Sequence, residues 1–169
     1  MKVLETERLV LRRMNADDAA FILELLNEPS FLQYIGDKRV RTLEDARGYI
    51  ASGPMASYDR FGFGLYLVEL KTDGTPIGMS GLLKRDTLPD VDLGYALSPK
   101  HWGKGYAVEA ARATLEHGKK DFGLIRIVAI TTPDNHSSIK VLERIGFEFE
   151  AMVRLSEDSD EVTLFGCAL

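Results

Sequence analysis

Cysteine is almost absent from this chain. Cys167 stands alone, so no internal disulfide can form and the fold must rest on its core and hydrogen bonds, as in a reducing compartment. Cationic charge is also short, since 21 Lys and Arg against 26 Asp and Glu leave a formal net charge of −5. Such a field disfavours nucleic-acid phosphates and anionic membranes, and neither partner is expected. Long apolar runs are missing too. Charges in Met1 to Arg8 arrive before any stretch of signal-peptide length, and nothing later approaches a membrane span, which gives the expectation of a cytoplasmic protein. His101, His117 and His136 are scattered, with no ligand spacing, so surface or capping roles suffice and no metal is expected. Repeats, linkers and low-complexity stretches are lacking as well. What remains is 169 residues at 45% hydrophobic content, enough for one core and one domain spanning residues 1–169.

The pattern within that domain mixes two periodicities. Leu9-Val10-Leu11 reads as a short strand. Asn15, followed by Asp17 and Asp18, reads as the capped start of a helix running to about Asn27. A second helix starts at Thr42 and is expected to end at Gly53-Pro54. Phe63 to Leu70 and Pro76 to Leu83 flank Thr72-Asp73-Gly74-Thr75 as a hairpin. In Val91 to Leu97, alternation puts Val91, Leu93, Tyr95 and Leu97 on one face and Asp92, Gly94 and Ala96 on the other. A long helix begins near Gly105, with Ala107, Ala111, Leu115, Gly118 and Phe122 on its packing face. A strand over Ile125 to Thr131, a short helix over Asn135 to Arg144 closed by Gly146, and strands over Phe147 to Val153 and Val162 to Ala168 complete the order.

One segment carries a ligand signature. Between the Val91 strand and the long helix lies His101-Trp102-Gly103-Lys104-Gly105-Tyr106-Ala107. A glycine turn feeding a helix N-terminus makes an anion site, because the first N–H groups of a helix have no internal acceptors. Two familiar phosphate loops do not fit. Gly103-Lys104 is followed by Gly105 where a P-loop needs Ser or Thr, and the third glycine of a dinucleotide fingerprint falls on Val108. A tight strand-to-helix turn without a ligand is the alternative that this segment alone leaves open.

The wider arrangement resembles the GCN5-related N-acetyltransferase superfamily, and within it the Rim-type branch that acetylates ribosomal-protein N-termini. The resemblance is carried by Glu7 to Arg12, Leu93-Gly94-Tyr95, Trp102 to Ala110, and the run from Asn135-His136-Ser137-Ser138 to Gly146-Phe147. It implies an α/β (α+β) fold with a mixed, mostly antiparallel seven-stranded sheet, splayed between the Val91 and Ile125 strands, and helices on both faces. It also implies acetyl-CoA as co-substrate and an amine acceptor, either a protein N-terminus or a small molecule, attacked directly in a ternary complex. Non-catalytic acyl-CoA binding on the same fold is the alternative. Dimers are common among relatives, so monomer and homodimer both stay open.

On that resemblance the cofactor residues are Leu97, Trp102, Gly103, Lys104, Gly105, Tyr106, Ala107, Asn135 and Ser138. Trp102 departs from the Gln or Arg that opens the family's pyrophosphate motif. A backbone N–H near Ala96 or Leu97, at a strand bulge, would polarise the thioester oxygen. Asp92 matches a carboxylate that relays the amine proton in relatives; a solvated strand aspartate is the alternative. Ser138 matches a serine near the CoA sulfur, and a plain helix-start hydroxyl is its alternative. Asn135 would contact the pantetheine arm, cap the helix, or do both. The tyrosine that many relatives place one turn beyond Ser138 is replaced by Leu142. Cys167 reads as a core thiol, and the acidic run Glu157 to Glu161 as a hairpin tip.

Overall fold

A computed structural model describes residues 1–169. Eight strands form one sheet: β1 (Lys2–Glu5), β2 (Leu9–Arg12), β3 (Leu65–Leu70), β4 (Pro76–Leu83), β5 (Asp92–Leu97), β6 (Arg126–Thr131), β7 (Glu148–Val153) and β8 (Val162–Ala168), in the spatial order β1-β2-β3-β4-β5-β6-β8-β7. The expected seven strands omit β1. That strand lies at the sheet edge with only Val3 and Leu4 between charged ends, so it carries no alternating pattern to read.

Every neighbouring pair is antiparallel except β5 and β6, which run parallel and meet at a single register position, Asp92 opposite Val128. There the Val128 N–H donates to Val91 O at 3.0 Å. Beyond that point the two strands part, and the sheet opens as a wedge. The register of β5 with β4 is unbroken from Leu83/Asp92 to Gly78/Leu97, so the bulge expected near Ala96 is absent.

Six helices cover the sheet: α1 (Ala19–Leu26), α2 (Pro29–Tyr34), α3 (Leu43–Ile50), α4 (Ala56–Phe61), α5 (Tyr106–Phe122) and α6 (His136–Arg144). Ile22 and Leu25 of α1, Phe31 of α2 and Ile50 of α3 bury against Leu65, Leu67 and Met79 on one face. On the other, Ala111 and Leu115 of α5 and Leu142 of α6 pack on Leu82, Leu93, Ile127 and Phe165. Helix α5 approaches closely because its buried stripe is small. A Cβ on Gly118 would lie 2.9 Å from Ile127 Cδ1.

Local capping follows the sequence. Asn15 Oδ1 accepts from Asp17 N and Thr42 Oγ1 from Asp45 N. The first turn after Asn15 is 3-10 rather than α, and α1 proper starts at Ala19. The first helix ends where expected, at Leu26 with Asn27 as its C-cap, but an unexpected helix, α2, follows with Pro29 as its first residue, where it needs no N–H acceptor. One other boundary differs from expectation. Gly53-Pro54 does not end the second helix. The chain passes through a π turn, Ala51–Met55, whose wider bonding accommodates the missing proline N–H, and continues into α4.

Arg12 fastens the start of this helical layer to the sheet. Its guanidinium forks onto Asp18 at 2.7 and 3.0 Å, while Nε meets Glu69 Oε2 at 3.1 Å. Burial alone would raise the Asp18 pKa, but the Arg12 bonds and the Asn15 N–H outweigh it and hold the carboxyl below its ordinary value. A depressed carboxylate stabilises the fold above its unfolded pKa and loses that contribution as pH falls through the folded value. Asp18→Asn should therefore cost about 1–3 kcal/mol in urea unfolding at neutral pH, and the difference from the parent should vanish below the folded-state Asp18 pKa.

Candidate active site

The turn at the head of α5 is built for close approach. Gly103 and Gly105 both take left-handed backbone, at φ 75° and 82°, which other residues adopt at a cost. No side chain caps the helix, and the backbone N–H groups of Gly103 to Ala107 find no acceptor within the protein. Together with the helix dipole they form a cradle for an anion such as a diphosphate. Two clamps hold the cradle in shape. Arg8, between β1 and β2, donates to Lys104 O at 2.9 Å, pairs with Glu109 Oε1 at 2.7 Å, and lies 4.4 Å from the Tyr106 ring centroid. Trp102 turns back and donates its indole N–H to Leu97 O at 2.9 Å. Its one polar hydrogen is thus spent on bracing the turn against β5. Lys104 is exposed.

The wedge between β5 and β6 opens onto this cradle. Ser98 N donates to Ile77 O, so strand alternation turns the N–H groups of Tyr95 and Leu97, beyond the last contact with β6, away from β4 and toward the gap. The opposite wall ends in α6. Asn135 caps that helix by accepting from Ser138 N at 3.3 Å, and the Ser138 hydroxyl lies 2.7 Å from the Tyr95 hydroxyl.

Asp92 sits elsewhere. It is on the α1 and α3 face of β5, whereas Tyr95 and Leu97 face α5 and α6. It is not the solvated aspartate that the sequence left open, because it is only 1% exposed and one oxygen, Oδ1, has no partner. Oδ2 receives Arg85 Nε at 3.2 Å. Burial raises the Asp92 pKa, and Arg85 pulls it only part of the way back.

Comparisons with known proteins agree with this geometry. Residues 8–148 match the acetyltransferase (GNAT) domain model. The chain belongs to the GNAT acetyltransferase family. It is 31% identical over 155 residues to the uncharacterised N-acetyltransferase p20 of Bacillus licheniformis, covering 91% of this chain and 86% of that one. An acetyltransferase from Agrobacterium tumefaciens superposes with a TM-score of 0.85 at 27% identity, covering 100% and 95% of the two chains. RimL, a ribosomal L7/L12 alpha-N-protein acetyltransferase in complex with coenzyme A, shares the fold with a TM-score of 0.84 at 19% identity, covering 100% and 98%. The GNAT protein described here is thus an acyltransferase that moves acetyl from acetyl-CoA to an amine.

The structure brings Gly103 to Ala107, Trp102 and Leu97 together at one end of the wedge and joins Asn135 with Ser138 at its wall, while Asp92 stands on the opposite face of β5. Sequence reasoning passed over Arg8, Glu109, Arg85 and Tyr95. Tyr95 was placed on its correct face, but its partner is 43 residues away. His117 is a correction of another kind. It is buried, with Tyr66 Oη at 3.1 Å and Asp121 Oδ2 at 2.6 Å, rather than a surface or capping residue. A cavity of about 540 Å³ adjoins the cradle on the outer side of α5, lined by Thr6, Arg8, Gly105, Arg112 and Arg144 among others. Arg8→Ala should loosen the cradle without touching the chemistry. In calorimetry its acetyl-CoA Kd should rise roughly tenfold, the size of one charge-assisted bond, with kcat at saturating cofactor essentially unchanged.

Proposed function

We propose that residues 1–169 work as a single domain in which acetyl-CoA lies across the wedge, its diphosphate on the N–H groups of Gly103 to Ala107. The observation that carries this reading is an uncapped helix N-terminus standing at the open end of a split sheet. Bound there, acetyl-CoA supplies the thioester. The extended arm follows the free edge of β5, with the unused amide of Asn135 available to it on the opposite wall. The Leu97 N–H polarises the thioester oxygen, a donor aimed before the charge develops. The amine attacks directly in a ternary complex, and the Ser138 hydroxyl donates to the departing sulfur.

Asp92 takes the amine proton through water, since it lies up the strand and across it from Leu97. A protein N-terminus has an ordinary pKa near 7.7–8.0 and is partly neutral at physiological pH, so a modest base suffices. A carboxylate raised by burial is a better base than a solvated one. RimL is named for an alpha-amino group of a ribosomal protein, and protein N-termini are accordingly the first acceptor class, with small amines the second.

Free-thiol release from saturating acetyl-CoA, measured against N-terminal peptides, polyamines, aminoglycosides and amino acids, tests the assignment. Turnover on at least one acceptor is expected; tight cofactor binding without turnover on any would favour a non-catalytic acyl-CoA module. Asp92→Asn should lower kcat roughly 10²–10³-fold, within the usual range for proton-transfer catalysis, and leave acetyl-CoA affinity intact. Because Arg85 lowers the Asp92 pKa, Arg85→Met should raise it further. The acid limb of the kcat profile, which needs the ionised carboxylate, should then move to higher pH.

A further inference from the structure

Helix α6 offers no phenol to the gap. Leu142, one turn beyond Ser138, is 1% exposed and packs into the core with Leu82, Leu93 and Ile127. A phenol nevertheless reaches Ser138 from the other wall. Tyr95, midway along β5, brings its hydroxyl to 2.7 Å from Ser138 Oγ and 3.2 Å from the Ser138 backbone carbonyl. This contact spans the wedge and joins the two strands' sides where their backbones have parted. We propose that Tyr95 is the positioning residue for Ser138, donating to its Oγ so that the serine's own hydrogen is directed at the departing CoA sulfur. The inference rests on the reading of Ser138 as the sulfur donor.

Counting hydrogens shows how the pair works. Each hydroxyl has one hydrogen to give. In one arrangement Ser138 donates to Tyr95 and Tyr95 donates to the Ser138 carbonyl. In the other Tyr95 donates to Ser138 Oγ, and the serine must donate elsewhere. Negative charge growing on the sulfur selects the second arrangement. Burial pushes the Tyr95 pKa up to about 12, against a smaller pull from Ser138, so the phenol keeps its proton throughout. During transfer the amine lone pair forms the new C–N bond, the C–S bond breaks, and its electrons go to sulfur. The amine proton leaves through water to Asp92. Neither Tyr95 nor Ser138 loses a proton, and the thiolate departs as a hydrogen-bond acceptor.

Tyr95→Phe, Ser138→Ala and the double variant separate the possibilities. Each single change should lower kcat roughly tenfold or more, the size of one hydrogen bond to a charged group, with acetyl-CoA affinity by calorimetry within about twofold of the parent. The double variant should be no slower than Ser138→Ala, because Tyr95 acts only through the serine. Losses that multiply in the double variant, or a parental kcat in Tyr95→Phe beside a slow Ser138→Ala, would overturn the role of Tyr95. A parental kcat in Ser138→Ala removes the sulfur-donor reading itself, and the Tyr95 role with it. If Tyr95→Phe melts below the assay temperature, a fluorinated tyrosine at position 95 keeps the shape and acidifies the phenol into the assay range. It should then introduce an alkaline loss of kcat, since a phenolate cannot donate; a profile that stays flat sinks the proposal.

Discussion

The single backbone contact between β5 and β6 governs this molecule. Had the parallel pair continued past Asp92 and Val128, every N–H on that edge of β5 would bond β6, and no gap would exist. Because pairing stops there, Tyr95 and Leu97 keep donors that face open space, while the other edge of β5 stays regularly bonded to β4. One strand is therefore rigid on one side and chemically free on the other. The same parting turns Tyr95 toward α6 and Leu97 toward the head of α5, so the two ends of the wedge acquire different chemistry from one strand.

The cradle needs separate support, because a glycine turn in left-handed backbone is permissive rather than fixed. Arg8 and Trp102 supply that support from opposite directions. Arg8 ties the turn to the segment between β1 and β2 through Lys104 O and Glu109, and Trp102 ties it to the last residue of β5. Both bonds reach backbone carbonyls, which leaves the N–H groups free for an anion. Asp92 is buried at a cost, since one of its oxygens has no partner in the core, and the proposed proton-accepting role draws on the basicity that this burial raises.

Much of the fold was legible because its signals are short-range. Asn15, Thr42 and Asn135 cap the helices that follow them, and Gly146 takes the left-handed conformation that closes α6. Alternation along Val91 to Leu97 correctly separated Asp92 from Tyr95, since strand period depends only on local geometry. The missed elements are those whose stability comes from neighbours. Strand β1 has almost no pattern of its own, and the π turn at Gly53-Pro54 persists because α3 and α4 are both anchored, by Ile50 and Tyr58, in the core.

The amino-acid sequence by itself determined the glycine cradle at the head of α5, the helix caps, the faces of β5 and the family to which the chain belongs. All of these are written within a few residues of one another or in the order of such segments. Only the tertiary structure decided that Asp92 is buried against Arg85, that Arg8 clamps a turn about a hundred residues away, and that Tyr95 meets Ser138 across the wedge. Burial, charge pairing and hydrogen-bond partnership are properties of where the chain brings distant residues, and sequence spacing does not carry them.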